Sequence, residues 1–270
     1  MTLRERFRLG WRSLLAIAIL ALICPVCVVL RGLDWWIEKI ALRPASNFGM
    51  QVVQVWARMT LPLLGLRLEI QGQPLRHGAM VANHASWIDI IVLLACAAPF
   101  LVAKAEVRDW PLIGLIGRTI GTVFVDRRRS FADAQKLEIQ NRLRRGDLLA
   151  IFPEGTSSDG LQVLSFKSSL FGAFLNVGGA MAVALQPVSI RYVPSTDLPS
   201  EFYGWWGAMD FVQHLSAVLS RSTQGRVEIR FHPHVTLHES AVQRDRKLLA
   251  RWAEGVIRDG FNQSMNDREY

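Results

Sequence analysis

Cysteine is scarce in this sequence. The three present, Cys24, Cys27 and Cys96, cannot build a disulfide framework, so the folded part is expected to face a reducing compartment. Cys24-Pro25-Val26-Cys27 does spell C-x-x-C. Redox motifs of that spacing open a helix in a soluble domain, whereas this one lies inside an apolar run, which speaks against a redox role. A lipoprotein site is equally disfavoured, because Ile23 stands where a small residue is wanted. There is no zinc-finger spacing and no RNA-binding aromatic signature. The absence of a G-x-S-x-G elbow argues against a serine hydrolase of the α/β-hydrolase type. Internal repeats and low-complexity tracts are missing too.

What is plentiful is apolar and basic. Of 270 residues, 50% are hydrophobic, nine are Trp, and the formal net charge is +8. The length suits one large domain, or a domain with a small appendage. A basic surface wants anionic partners, either nucleic acid or acidic lipid headgroups. The hydrophobicity selects the membrane, and no nucleic-acid partner is expected.

Ser13 to Leu30 is an almost unbroken apolar stretch. As a helix it rises about 27 Å, just enough for a hydrocarbon core of about 30 Å. Arg4, Arg6, Arg8 and Arg12 precede it, which keeps the amino terminus cytoplasmic. A single span would then carry the rest outside, against the reducing compartment that the cysteines imply. A helix kinked at Pro25 that enters and returns resolves the conflict. So does a second embedded region across Trp35–Leu64, broken by Pro44 and Pro62. No A-x-A cleavage site follows the run and Arg31 comes next, so a retained anchor is expected rather than a signal peptide.

Beyond the anchor, strand-like and helix-like segments alternate. Strands are expected at Leu66–Gln71, Ala79–Ala82, Phe100–Ala103, Thr119–Val125, Leu148–Phe152, Ala182–Ile190 and Arg226–Val235. Helices are expected at Ile88–Ala97, Trp110–Gly117, Phe131–Arg145, Phe166–Val177 and Ala241–Asp259, with Ser130 capping the third and Gly146 closing it. The pattern reads as an α/β fold, a mixed β-sheet flanked by helices. Residues 1–65 form a membrane-anchoring helical region and 66–270 the main domain.

Four constellations carry chemistry. Asn83-His84-Ala85-Ser86-Trp87-Ile88-Asp89 leaves a short apolar strand and enters an apolar helix. Five residues apart on one helix, His84 and Asp89 would face different sides. They meet only if His84 lies in the turn and Asp89 in the first helical turn. Asp89 then holds one imidazole nitrogen and leaves the other as a base; a loop histidine placed there by chance is the bland alternative, and Ser86 is a candidate helix cap. Phe152-Pro153-Glu154-Gly155-Thr156-Ser157-Ser158 follows a strand and offers backbone N–H groups to an anion, or is an ordinary turn. Gly121-Thr122-Val123-Phe124-Val125-Asp126-Arg127 delivers guanidinium groups suited to phosphate, or ends in a solvated charge run. Ala184-Leu185-Gln186-Pro187-Val188 lines a groove or is plain core, its proline suiting a strand end or edge. His232, His234 and His238 invite a metal reading, but Glu239 is the only acid close by, and no metal is expected.

In this order the four blocks resemble the glycerolipid acyltransferase family, typified by the 1-acylglycerol-3-phosphate acyltransferases. His84 and Asp89 match its His-x-x-x-x-Asp block, Arg127 its second, Phe152–Thr156 its Phe-Pro-Glu-Gly-Thr letter for letter, and Pro187 its fourth. Ala103-Lys104-Ala105-Glu106, with Trp110-Pro111 and Gly114, also looks like the family. The resemblance covers roughly Met80 to Ile190. Phe166-Lys167-Ser168-Ser169 departs from the Phe-Lys-x-Gly of many members. Tyr203-Gly204, Met209-Asp210 and His214-Leu215 look more like the bacterial branch that acylates lyso-ornithine lipid, although Trp205-Trp206-Gly207-Ala208 is inserted here.

The resemblance implies a lysolipid O-acyltransferase. His84 would take the proton from the acceptor hydroxyl, Asp89 would orient it, and the oxygen would attack the thioester of acyl carrier protein or coenzyme A. The donor is already activated, so no cofactor is implied. Arg127, Glu154, Gly155, Thr156 and Lys104 would bind substrate. The expected place is the bacterial inner membrane, with the catalytic domain on the cytoplasmic side. The competing class is a catalytically silent membrane-binding module with the same fold.

Overall fold

The computed structural model describes residues 1–41, 47–110, 113–126, 132–175, 177, 183–222, 225–237 and 245–266. Arg127, Arg128, Arg129, Ser130, Pro44, Pro111, His238 and Glu239 lie outside the described residues.

Helix α1 (Leu3–Ala41) runs as one unbroken helix of 39 residues through Pro25, about 58 Å long at the usual rise. The proline ring removes a single helical hydrogen bond, and the chain does not turn back there. It is long and apolar enough to cross a membrane, yet both ends of its apolar stretch dock on the same body. Arg8 donates to Ser220 O at 2.8 Å, and Arg12 donates to Leu219 O at 3.1 Å and Arg221 O at 3.0 Å. At the far end Asp34 accepts from the N–H groups of Phe48 and Gly49, at 3.1 and 3.0 Å. These open helix α2 (Phe48–Leu63). Arg31 lies over the Phe100 ring, 5.2 Å from its centroid. Between these contacts Leu14, Ile17, Leu22 and Val29 remain exposed. Arg8 and Arg12, two of the four arginines that precede the apolar run, therefore bind the protein itself.

The sheet takes β1 (Leu66–Gln71), β2 (Gly78–Ala82), β3 (Phe100–Lys104), β4 (Val123–Val125), β5 (Leu148–Ile151), β6 (Ala184–Val193), β7 (Gly225–Phe231) and β8 (Val235–Thr236). Its order is β1-β7-β6-β2-β5-β3-β4, with β8 also on β6. Strands β6, β2, β5, β3 and β4 are mutually parallel; β7 and β8 run antiparallel to β6, and β1 follows β7. Helix α3 (Ile88–Ala97) carries the chain from β2 rightward past β5 to β3, and α5 (Ala132–Arg144) carries it back from β4 to β5. Right-handed crossovers of opposite direction put these helices on opposite faces. The expected α/β class with a mixed sheet is what forms. The centre is dry: every residue of β2 and β5 is buried. Core residues Met50, Val53, Ala57 and Leu61 of α2 belong to the same cluster as the sheet, so the hydrophobic core crosses residue 65.

Several expected elements shift for local reasons. Thr119 ends helix α4 (Ile113–Thr119) instead of starting a strand. Gly121 turns the chain at a φ of +78°, which a side chain disfavours, and β4 begins only at Val123. Among the described residues of 166–177 no α-helix forms, only a 3-10 turn at Ser168–Ala173. The N–H of Phe166 is taken by Glu254 at 2.9 Å and that of Lys167 by Pro153 O at 2.9 Å. Helix α6 (Phe211–Ser220) went unread, although Asp210 caps it by accepting from Gln213 N at 2.8 Å. Helix α7 (Arg246–Asn266) closes the chain against β6. Pro187 sits inside buried β6 and not at its end, at the break where β7 stops (Val188 opposite Phe231) and β8 starts (Leu185 opposite Val235). A residue without N–H fits that gap.

Candidate active site

Parallel strands β2, β5, β3 and β4 deliver their carboxyl ends to one edge of the sheet, where open α/β folds bind ligands. Asn83 leaves β2 and extends it by imitation. Its amide donates to Ile190 O and accepts from Ile190 N, both at 2.8 Å, as a further ladder residue of β6 would. The next residue is His84.

His84 Nδ1 lies 2.7 Å from Asp89 Oδ2. The same oxygen accepts from the N–H groups of Ala85 at 2.7 Å and Ser86 at 2.9 Å. The turn is thus wound around the carboxylate, and the arrangement demanded by the sequence is met: His84 in the turn, Asp89 in the first turn of α3. Trp87, not Ser86, occupies the N-cap position, and the Ser86 hydroxyl is buried without a hydrogen-bond partner. Asp89 is wholly buried, while the His84 side chain keeps 19% of its surface exposed.

The third block clamps this loop from β5. Phe152 stacks on the imidazole with ring centroids 4.1 Å apart at 16°. Glu154 Oε1 accepts from His84 N at 3.1 Å, and Ser158 N donates to His84 O at 2.9 Å. Both backbone groups of His84 are therefore fixed, as is its ring plane. Gly155 turns at a φ of +68°, a conformation that favours glycine. Glu154 is only 2% exposed, and its Oε2 is buried without a hydrogen-bond partner. Burial pushes its carboxyl up to about 8, opposed by the His84 N–H and reinforced by Asp89. Thr156 is exposed, and half-buried Lys104 ends β3 opposite Val125 of β4. Asp126 follows; Arg127 lies outside the described residues.

Two residues without a role in the four blocks tie the pair to β6. One is Asn83. The other is Tyr192, whose hydroxyl donates to Asp89 Oδ1 at 2.6 Å. Burial first, and the charge of Asp89 next, raise the Tyr192 hydroxyl well above its ordinary range, so it remains a donor. Nothing in the sequence singles out Tyr192 beyond its place five residues after Pro187.

His232 and His234 do not converge. His232 Nε2 meets Ser189 Oγ at 2.7 Å while His234 is exposed. Among the described residues no group of three His, Cys, Asp or Glu gathers. Chemically, the dyad is an imidazole whose Nδ1 faces a buried carboxylate. Nε2 is left to accept a proton from a hydroxyl.

Residues 67–191 match the family model named Acyltransferase. The chain is 43% identical over 213 residues to the lyso-ornithine lipid O-acyltransferase of Rhodobacter capsulatus, across 78% of this chain and 76% of that one. It is 38% identical over 244 residues to the protein of the same name from Brucella abortus, across 86% and 90%. Among solved structures it resembles the 1-acyl-sn-glycerophosphate acyltransferase of Thermotoga maritima, with a TM-score of 0.62 and 21% identity over 95% and 98% of the two chains. At that identity the likeness speaks for the fold.

Proposed function

Because the chain belongs to the acyltransferase family, and is a membrane-associated enzyme that acylates lysolipids, we propose that its acceptor is lyso-ornithine lipid and its donor an acyl thioester of acyl carrier protein or coenzyme A. The 2.7 Å contact between His84 Nδ1 and Asp89 Oδ2 carries the reading. His84 Nε2 takes the proton from the acceptor hydroxyl as its oxygen attacks the thioester carbonyl. The tetrahedral intermediate expels the thiolate, which takes the proton back from His84. Asp89 holds the tautomer and stabilises the transient imidazolium. General-base catalysis of this kind supplies about 10²–10⁴-fold, the rest coming from positioning and from donors to the oxyanion.

Lys104, Arg127, Gly155 and Thr156 bind the acceptor headgroup in this reading. Glu154 joins them and also steadies His84. The two lyso-ornithine lipid relatives favour that acceptor, and the four-block resemblance keeps lysophosphatidic acid as the second. The docked ends of α1 support an anchor that lies along the membrane, with its apolar side in the lipid. The catalytic domain then sits on the cytoplasmic side of the inner membrane, in keeping with three free cysteines.

The test is acyl transfer from labelled acyl carrier protein and acyl-coenzyme A to both lysolipids, with His84→Ala beside the wild type. Product from lyso-ornithine lipid that vanishes in the variant supports the reading. Transfer to lysophosphatidic acid alone moves the acceptor, and no transfer by folded wild type favours a silent membrane-binding module.

A further inference from the structure

The inserted Trp205-Trp206-Gly207-Ala208 has found no role so far. Trp205 N donates to Ala85 O at 2.8 Å, which sets this segment against the loop that carries His84. From there rings meet edge to face in a train. Trp87 meets Phe211 at 5.4 Å, Phe211 meets Trp205 at 6.2 Å, and Trp205 meets Trp110 at 6.3 Å. His214 pins its inner end: Trp87 Nε1 donates to His214 Nδ1 at 3.0 Å, and Nε2 lies 3.2 Å from Phe202 O. Burial lowers the His214 pKa, so the ring stays neutral and keeps accepting.

The outer margin of this train is apolar and open. Trp110, Leu161, Met209 and Val212 are 40%, 42%, 38% and 65% exposed, and Trp205 and Trp206 are half-buried. Leu161 reaches the mouth beside Gly160, where an added Cβ would stand 3.4 Å from that of Ala85. Of the charges beside it, Asp210 is engaged in capping α6 and Asp159 accepts from the N–H of Leu161 at 3.0 Å. Helix α6 has ten residues, about 15 Å, and its far end is held by Arg8 and Arg12 of α1. The patch thus lies one helix length from the anchor, whose own Trp11, Trp35 and Trp36 are exposed. Tryptophan concentrates at the lipid–water boundary, and clustered exposed apolar side chains mark an interaction surface.

We propose that Trp110, Leu161, Trp205, Trp206, Met209 and Val212 form a second lipid-contact surface around the mouth of the dyad, set into the headgroup zone of the bilayer that carries α1. A lysolipid then passes from the bilayer to His84 without crossing water. This rests on the reading of the chain as a lysolipid acyltransferase.

The test uses the full chain with Met209→Asp/Val212→Asp, and the same lysolipid offered in phosphatidylethanolamine–phosphatidylglycerol vesicles or in detergent micelles. Vesicle activity is expected to fall about tenfold or more, while micellar activity stays within about twofold. Met209→Leu/Val212→Leu keeps both. An undiminished rate on vesicles, or equal loss in both formats, overturns the surface. A second readout needs no activity: lipids brominated near the headgroup quench the wild type more than Trp205→Phe/Trp206→Phe. Equal quenching overturns the proposal even if wild type transfers no acyl group, an outcome that removes the functional reading instead.

Discussion

Tyr192 and Asp89 form a buried contact behind the dyad: the phenol donates at 2.6 Å to Oδ1, the oxygen that His84 does not use. With Ala85 N and Ser86 N on Oδ2, the carboxylate receives three donors besides the imidazole, and its position is set by strand β6 as much as by its own helix. Tyr192→Phe deletes one oxygen and leaves a buried acceptor short of a partner. A loss of about 1–3 kcal/mol of stability is expected, seen as a lower denaturation midpoint. A lower kcat at unchanged KM is expected beside it, because the acceptor site is untouched. If KM rises and kcat holds, Tyr192 belongs to substrate binding instead.

The dyad itself was legible because its two members lie in one short segment whose strand-to-helix pattern fixes their geometry. Glu154 was legible as part of the site, although its 3.1 Å bond to His84 N depends on β5 lying beside β2, which no local pattern states. Asn83 and Tyr192 were not legible as supports. Their partners are 107 and 103 residues away, and such pairings follow from strand order, which hydrophobic periodicity does not encode. Helix α6 was within reach: Asp210 as a cap, then Phe211, Leu215, Val218 and Leu219 at helical spacing. The 3-10 turn after Phe166 was not, because the Glu254 carboxylate that accepts from Phe166 N lies 88 residues away.

Gly114 and Gly255 make a contrasting pair. A Cβ on Gly114 would stand 2.0 Å from Arg108 O and 2.6 Å from its carbon, so Gly114→Ala must push α4 off the turn that follows β3. A destabilisation of about 1–3 kcal/mol is expected. Nothing lies within 4 Å of a Cβ on Gly255 in α7, so Gly255→Ala is expected to stabilise by up to about 1 kcal/mol. Chemical denaturation of both variants measures this, and a Gly114→Ala protein as stable as wild type would mean the turn yields freely.

Arg12 is 7% exposed and bonds the carbonyls of Leu219 in α6 and of Arg221 just after it, whereas Arg4 is exposed. Arg12→Ala is expected to free the first turns of α1 from the domain and to lower stability by about 1–3 kcal/mol. Brief proteolysis in detergent should then cut within residues 3–12 in Arg12→Ala but not in Arg4→Ala. Matching digestion patterns would show that the contact with α6 does not hold α1.

Glu154 makes stability fall as pH rises. Its carboxyl is pushed from 4.5 to about 8 by burial, so the folded protein binds its proton more tightly than the unfolded chain does. Below about 4.5 both states hold the proton and Glu154 contributes no pH dependence. Between about 4.5 and about 8 only the folded state holds it, and stability declines with each step in pH. Above about 8 both states have released it, and the loss is complete. Glu154→Gln keeps an oxygen to accept from His84 N and carries no titrating proton, so this component disappears. Denaturation at pH 5 and at pH 8.5 should therefore show the variant gaining on wild type at the higher pH. Equal differences at the two pH values would mean that burial does not hold the proton on Glu154 in the fold.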